Sequence, residues 1–540
     1  MKNRLLIIIL MISFLSSFDI YSQPMKRWVQ IYDGRAKWWD YPTDMCKDNN
    51  GNYIVVGASV YSGSPFSDYE TVLLKYDELG NNIWTATKND RTSMNDEPSR
   101  IISDENSNLY CLGYYGFSKF LSKYDPNGNL IWFTTFHGNK RGNGGEDMAL
   151  DKLRNIYVEY SIDQNAVVGK FDKNGKSIWV KTLDTFGAYT NAGPRNLIFN
   201  KNKDFYLLGN SGDYYTNSNF YIIKFDTSGN IERNSNYNNL SNNYYTFKMI
   251  NDLQGNIVIL AARIVGPNNH DIYVIKLSEE GKIIWEKPIN WNGSDDDVPS
   301  DVVVDNKNNI IINGTVMKRF SNTQFTYEFI TCKFDESGNI VFQNIYSENN
   351  TLSGSGNVLG IDKNNDIYSA GSISNDSINQ LVIVKYDEKG NIIWNIKENE
   401  YNGRNTPVKM IVNDVDDFVL TADCFGTRST DDIVTYRYKA AATPSGILDK
   451  TVPNSFSLSQ NYPNPFNPST TINYSISRTS LVTIEVYDVL GREVETLVND
   501  VKPIGHYKIE LNGSELASGI YFYQMRAGNF VETKKLILMK

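Results

Sequence analysis

The chain has 540 residues, 41% apolar and 21% charged, a globular balance with room for more than one domain. Its net charge of −9 excludes ordinary nucleic-acid binding, which needs a basic face to neutralise phosphates. The 35 tyrosines and the abundant Asn and Gly favour strands and turns over helices, which points to an all-β fold.

The chain opens with MKNRLLIIILMISFLSSFDIYSQ. Lys2 and Arg4 precede an apolar run from Leu5 to Phe18, and Ser22 supplies a small residue near a cut. This pattern predicts a signal peptide over residues 1–22. The alternative is an uncleaved anchor, for which the apolar run is short. No other stretch is long and apolar enough to cross a bilayer, so no transmembrane segment is expected after signal removal. Cys46, Cys111, Cys332 and Cys424 are far apart and unclustered, which predicts small apolar side chains in or beside strands and no thiolate metal site.

Residues 26–33, KRWVQIYD, read as an outer strand with its own Trp28, although no complete repeat precedes them. A repeat then begins. KYDELGNNIW at 75–84 recurs as KYDPNGNLIW at 123–132, KFDKNGKSIW at 170–179 and KYDEKGNIIW at 385–394. Its glycine falls at Gly80, Gly128, Gly175, Gly229, Gly281, Gly338 and Gly390, a spacing of 47 to 57 residues. That is the period of a propeller blade. A second turn motif recurs between these copies, as in DNNGNYIVVG at 48–57, DENSNLYCLG at 104–113 and DKNNDIYSAG at 362–371, and eight copies are present. Asn and Gly there supply the positive φ of tight hairpins. Each period therefore carries four strands, named A to D in chain order, and the predicted fold is an eight-bladed β-propeller, with seven blades as the alternative.

The motif K-[YF]-D-x-x-G-N-x-x-W resembles the tryptophan-docking motif of quinoprotein-type propellers, and the wider unit resembles the bacterial repeat called SBBP. The resemblance implies that Trp28, Trp84, Trp132, Trp179, Trp285 and Trp394 pack between blades. Arg233 and Phe342 stand in the Trp position of two periods, and a weaker junction is expected there. DDIVTYRYK at 431–439 is a C strand with no D strand after it. The N-terminal strand is expected to complete this last blade, giving a propeller over residues 23–439 with no open sheet edge.

The A–B and C–D turns are short and uniform and share one face. The B–C and D–A loops vary and share the other, where binding usually resides. They hold aromatic and amide side chains in DGRAKWWDY (33–41), NSGDYYTNSNF (210–220), NWNGSDDD (290–297) and NEYNGRN (399–405). Flat rings beside amides and carboxylates suit sugars, so Trp38, Trp39, Tyr214, Tyr215, Trp291 and Tyr401 are the candidate ligand-binding residues. Asp295, Asp296 and Asp297 are candidate Ca²⁺ ligands, against a solvated acidic loop. DKNND at 362–366 starts like a calcium loop, but a strand follows at once, which predicts a turn. The three histidines show no metal-ligand spacing and no GxSxG elbow is present, so no catalytic residue is assigned and no cofactor is expected.

Residues 440–454 read as a linker. Beyond it, alternating strands at 481–488, 492–498, 506–511, 519–527 and 530–540 predict a small immunoglobulin-like β-sandwich. NYPNPFNPST, VYDVLGREV, LASGIYFYQM and the terminal KKLILMK resemble the type A C-terminal sorting domain of the type IX secretion system, over residues 455–540. The resemblance implies the type IX machinery as partner, export in a Bacteroidota-type bacterium, and a product that is secreted or held at the outer-membrane surface. The expected function is an exported binding or adhesion module for glycan or protein ligands. The alternatives are a polysaccharide-active enzyme on the same scaffold and a structural surface component.

Overall fold

The computed structural model describes residues 23–61, 69–88, 95–116, 118–136, 147–162, 165–183, 193–200, 204–211, 219–237, 243–266, 269–289, 296–319, 325–347, 353–374, 379–398, 403, 405–425, 430–440, 456–476, 480–502, 505–528 and 530–539. The chain divides into two compact units, Met1–Ala441 and Ala442–Lys540. No α-helix occurs among the described residues.

The first unit is a β-propeller. Its described residues form eight four-stranded antiparallel sheets. Seven are sequential hairpin runs, such as Asp40–Lys47, Tyr53–Val60, Tyr69–Tyr76 and Asn82–Lys88. The eighth combines Asn405–Asp414, Asp417–Phe425 and Asp431–Lys439 with the N-terminal strand Met25–Tyr32, which pairs antiparallel with Asp431–Lys439. Inner B and C strands are apolar on both faces because each sheet is sandwiched between two others. Ile54, Val56 and Leu73 of the first sheet pack on Ile101, Leu109 and Phe120 of the second. Val419 and Ile433 of the last sheet pack on Met45, Tyr53 and Val72 of the first, so the ring is closed by core packing as well as by strand pairing.

The repeated turn motif explains itself in three dimensions. In D-x-x-G-N the aspartate closes its own turn. Asp77 accepts the amides of Leu79 and Asn81, each at 2.8 Å, and the side-chain amide of Asn81 at 2.8 Å. Gly80 adopts φ +86°, which costs a glycine little. The same glycine is also a landing surface. A Cβ on Gly128 would lie 2.8 Å from the Trp84 ring of the preceding blade, and Gly80, Gly175, Gly229 and Gly338 carry Trp28, Trp132, Trp179 and Trp285 in the same way. The indole Nε1 of Trp84 donates to the Pro126 carbonyl in that turn at 3.1 Å, and Lys75 Nζ reaches the same oxygen at 2.9 Å. Trp285 and Lys276 grip the Glu336 carbonyl likewise. In these two copies Lys and Trp are thus two arms of one clamp between blades.

The lysines have a second task under the A–B turns. Lys75, Lys276 and Lys333 are buried and pair with Asp48, Asp252 and Asp305 at 2.8, 2.9 and 2.9 Å. Such pairs add little net stability over an apolar core, but removing one partner strands a buried charge at a cost of roughly 3–5 kcal/mol.

The two periods that lack Trp are not left loose. Arg233 donates to the Glu279 carbonyl, and Tyr237 OH donates to the Gly281 carbonyl at 2.6 Å. Phe342 lies on Gly390 and has no N–H, but Asn344 donates to the Gly390 carbonyl at 2.6 Å. Both junctions thus keep a side-chain donor to the next turn: Arg233 itself at the first, joined by Tyr237, and Asn344 two residues after Phe342 at the second. The last blade has no C–D turn, because its D strand comes from the other end of the chain. Asp416 takes the place of the absent carbonyl, accepting Lys385 Nζ at 2.9 Å and Trp394 Nε1 at 3.1 Å. At the closing junction Trp28 and Arg437 both donate to the Glu78 carbonyl.

The second unit packs a three-stranded sheet and a four-stranded sheet around a core that includes Ile472, Ile484, Tyr523, Met525 and Leu536. The proline-rich motif folds back onto the end of the chain. Phe466 is buried, Asn464 accepts the Ile537 amide at 2.9 Å, and its side-chain amide donates to the Lys535 carbonyl at 3.1 Å.

Candidate functional site

The central channel, a cavity of about 660 Å³, is lined by the innermost strand of every sheet. After the kink in seven of these strands stand Asp44, Arg100, Asn196, Lys248, Asp301, Val358 and Lys409, and Asp147 opens the eighth. Three cations face three carboxylates. Arg100 lies 3.4 Å from Asp147, Lys409 lies 3.7 Å from Asp44, and Lys248 pairs with Asp301. The carboxylates also bridge blades. Asp44 accepts the Ile101 amide at 3.1 Å, Asp147 that of Leu197 at 3.1 Å, and Asp301 that of Leu359 at 2.9 Å. This belt spends its charge on itself, so the channel reads as a structural hub.

The loop face offers a different surface. Trp39, Tyr41 and Tyr69 of the first blade meet Phe425 and Asp431 of the last across a cleft of about 520 Å³. Strand alternation and hairpin ends place them there. Trp39 immediately precedes the first inner strand and its carbonyl accepts the Val60 amide at 3.2 Å, Tyr69 opens the third strand opposite Val60, and Phe425 pairs with Asp431 across the last blade's hairpin. All five are half-buried, so each keeps a solvent-facing surface. Tyr41 and Tyr69 meet edge to face at 5.7 Å.

Beside the cleft lies a group of acids. Asp33, Asp40 and Asp432 each place a carboxylate oxygen within 4.8 Å of the others. Burial pushes the Asp40 carboxyl up to about 7, partly offset by the Ser59 hydroxyl and the Gly34 amide, and the charges of Asp432 and Asp33 push it the same way. Burial also raises Glu70, against the pull of Arg35.

Of the sequence-selected residues, Trp39 lies in the cleft, while half-buried Trp38 is outside its lining. Tyr214, Tyr215, Trp291, Tyr401 and Asp295 lie outside the described residues. Asp296 and Asp297 serve separate contacts. Asp296 bonds His270 Nδ1 at 2.6 Å, and the buried Asp297 accepts the Met317 amide at 3.2 Å. In the calcium-like segment 362–366, Asp362 accepts the amides of Asn364 and Asp366 at 2.9 and 3.1 Å and pairs with Lys385, which is a turn. All four cysteines are free, and burial raises the thiols of Cys111, Cys332 and Cys424. Tyr41, Tyr69, Phe425 and Asp431 escaped the sequence reading. The only signal was their position at strand ends on the loop face, which most blades share.

The fold and its tail define an exported β-propeller protein. Residues 460–539 match the secretion system C-terminal sorting domain, so the chain carries a type IX sorting signal that directs it to the cell surface or the extracellular space. No curated protein matches the chain. Among solved structures it is similar to PorZ, a surface component of the type IX secretion system of Porphyromonas gingivalis, with 12% identity, TM-score 0.38, and coverage of 92% of this chain and 70% of that one. It is also similar to the polysaccharide lyase Uly1, with 13% identity, TM-score 0.43, and coverage of 68% and 94%. A PL25 ulvan lyase shows 10% identity, TM-score 0.41, and coverage of 76% and 96%. None of these likenesses carries an activity over to this chain.

Proposed function

We propose that the exported propeller is a carbohydrate-binding module of the cell surface, with its site in the cleft between the first and last blades. The observation that carries this reading is the cleft itself, with four aromatic side chains and the carboxylate of Asp431 around about 520 Å³. Rings stack on the apolar faces of sugars, and a few polar groups fix orientation. A cleft on the variable-loop side of a rigid ring leaves the scaffold undisturbed when a ligand enters. Asp40, beside the cleft, is only 1% exposed and so out of reach of a polymer, which leaves Asp431 as the carboxylate of the cleft.

The test is a panel of bacterial and algal polysaccharides incubated with the purified protein, read for both retention and released oligosaccharides. Retention without release, reduced at least tenfold by Trp39→Ala or Tyr69→Ala, is the expected result. Released product assigns an enzyme instead. Retention that both variants leave intact places the site elsewhere.

A further inference from the structure

The acids at the closing seam do more than border the cleft. Asp33 follows the N-terminal strand, Asp40 begins the first inner strand, and Asp432 lies at the start of the last C strand. Residues 392 positions apart in the chain therefore meet where the ring closes, with carboxylate oxygens mutually within 4.8 Å. Asp40 and Asp432 are 1% and 8% exposed. Gly34 donates its amide to Asp40 Oδ2, which draws the closing loop over the group.

A second observation lies on the same face of the first sheet. Asp40, Ser59 and Glu70 stand directly opposite one another across three adjacent strands, so their side chains leave the sheet on one face. Glu70 is 1% exposed, and its Oε1 has no hydrogen-bond partner among the described residues. Glu70 thus adds a fourth carboxylate on the same sheet face, two strands from Asp40, where Arg35 is the cation that acts on it. Burying several like charges is costly unless something offsets them. A hard divalent cation does so directly. Ca²⁺ takes six to eight oxygens at roughly 2.3–2.6 Å, so oxygens across its shell stand about 4.8 Å apart.

We propose that Asp33, Asp40 and Asp432, supported by Glu70, form a Ca²⁺ site that clasps the first and last strands of the propeller. The clasp does not depend on the carbohydrate reading, and a cation there joins the two chain ends of the ring at a point remote from the Trp28–Gly80 junction on the opposite face.

The experiment uses the full chain, stripped with EDTA and titrated with CaCl₂ alone by calorimetry at neutral pH. Tb³⁺ luminescence excited through the nearby tyrosines and Trp39 is the second readout. The expected result is one saturable site in the wild type, Ca²⁺ competing with Tb³⁺, and a Tm that rises with Ca²⁺ as binding to the folded state requires. Asp432→Asn is expected to abolish uptake. Because that change is buried, Asp33→Asn, on the exposed member of the group, is the deciding variant, with affinity falling at least tenfold while Trp emission of the folded state is unchanged. Absence of saturable uptake by the wild type, or uptake that Asp33→Asn leaves within a factor of three, overturns the proposal. A Tm that rises on acidification but not with Ca²⁺ also overturns it, because a proton then does the work assigned to the metal.

Discussion

Trp84→Phe should loosen the junction between the first two blades, and Ala86→Asn should restore part of it. The substitution removes the Nε1 donor to the Pro126 carbonyl at 3.1 Å, while Lys75 Nζ still occupies that oxygen at 2.9 Å, so no acceptor is orphaned. The net loss of such a bond is about 0.5–1.5 kcal/mol. The smaller ring also uncovers part of Gly128, adding roughly 1 kcal/mol on the usual area scale. Together the cost is about 2 kcal/mol. The molecule already contains the compensated form. Phe342 sits on Gly390, and Asn344, two residues on and on the same face, donates to the Gly390 carbonyl at 2.6 Å. Ala86 holds the equivalent place relative to Trp84. The double variant should regain about 1 kcal/mol, which appears as coupling in a double-mutant cycle. All nine tryptophans precede residue 395, so urea unfolding followed by Trp emission reports the propeller without the tail. A single-variant cost under about 0.5 kcal/mol, or no coupling between positions 84 and 86, would refute the clamp as the basis of the motif.

Acid should weaken the buried pairs in a defined direction. Burial alone would raise Asp48, Asp252 and Asp305, but hydrogen bonds from the turn asparagines and the paired lysines outweigh it and leave each below the ordinary 3.8. Their contribution is complete above that value and is lost as pH falls through the lower folded values. Asp252→Asn should cost about 3 kcal/mol near neutrality and much less near pH 2, measured by urea midpoints, and a pH-independent cost would contradict the assignment. In the sorting domain, Asn464→Ala removes two hydrogen bonds that tie the proline motif to the last strand. It should lower the unit's stability by about 1–3 kcal/mol and shift the protein from the surface and medium fractions to the cell-retained fraction, scored by immunoblot. Unchanged export together with unchanged Tm would show that this contact is dispensable.

Much of the architecture is written locally. An Asp, a Gly and an Asn at fixed offsets close a turn with their own atoms, so seven copies of KYDxxGN and its variants announce seven C–D hairpins without any tertiary information. Period length, strand alternation and the tail motifs follow the same logic, since each is a property of neighbouring residues. The unpaired strand at 26–33 and the unpaired C strand at 431–439 are visible as a surplus at one end and a deficit at the other.

What tertiary structure decided is what arises between blades. Arg233 and Phe342 read as defects of the repeat until Arg233 itself, Tyr237 and Asn344 are seen to donate to the next turn. Asp416 looks like one more turn acid, yet it accepts Lys385 and Trp394 because the last blade has no C–D carbonyl to offer. The cleft and the acid group lie on the same seam, where Trp39 meets Phe425 and Asp40 meets Asp432. No local pattern links those residues. Periodicity dictates where each strand turns, but proximity across a closed ring is set only when the first strand docks on the last.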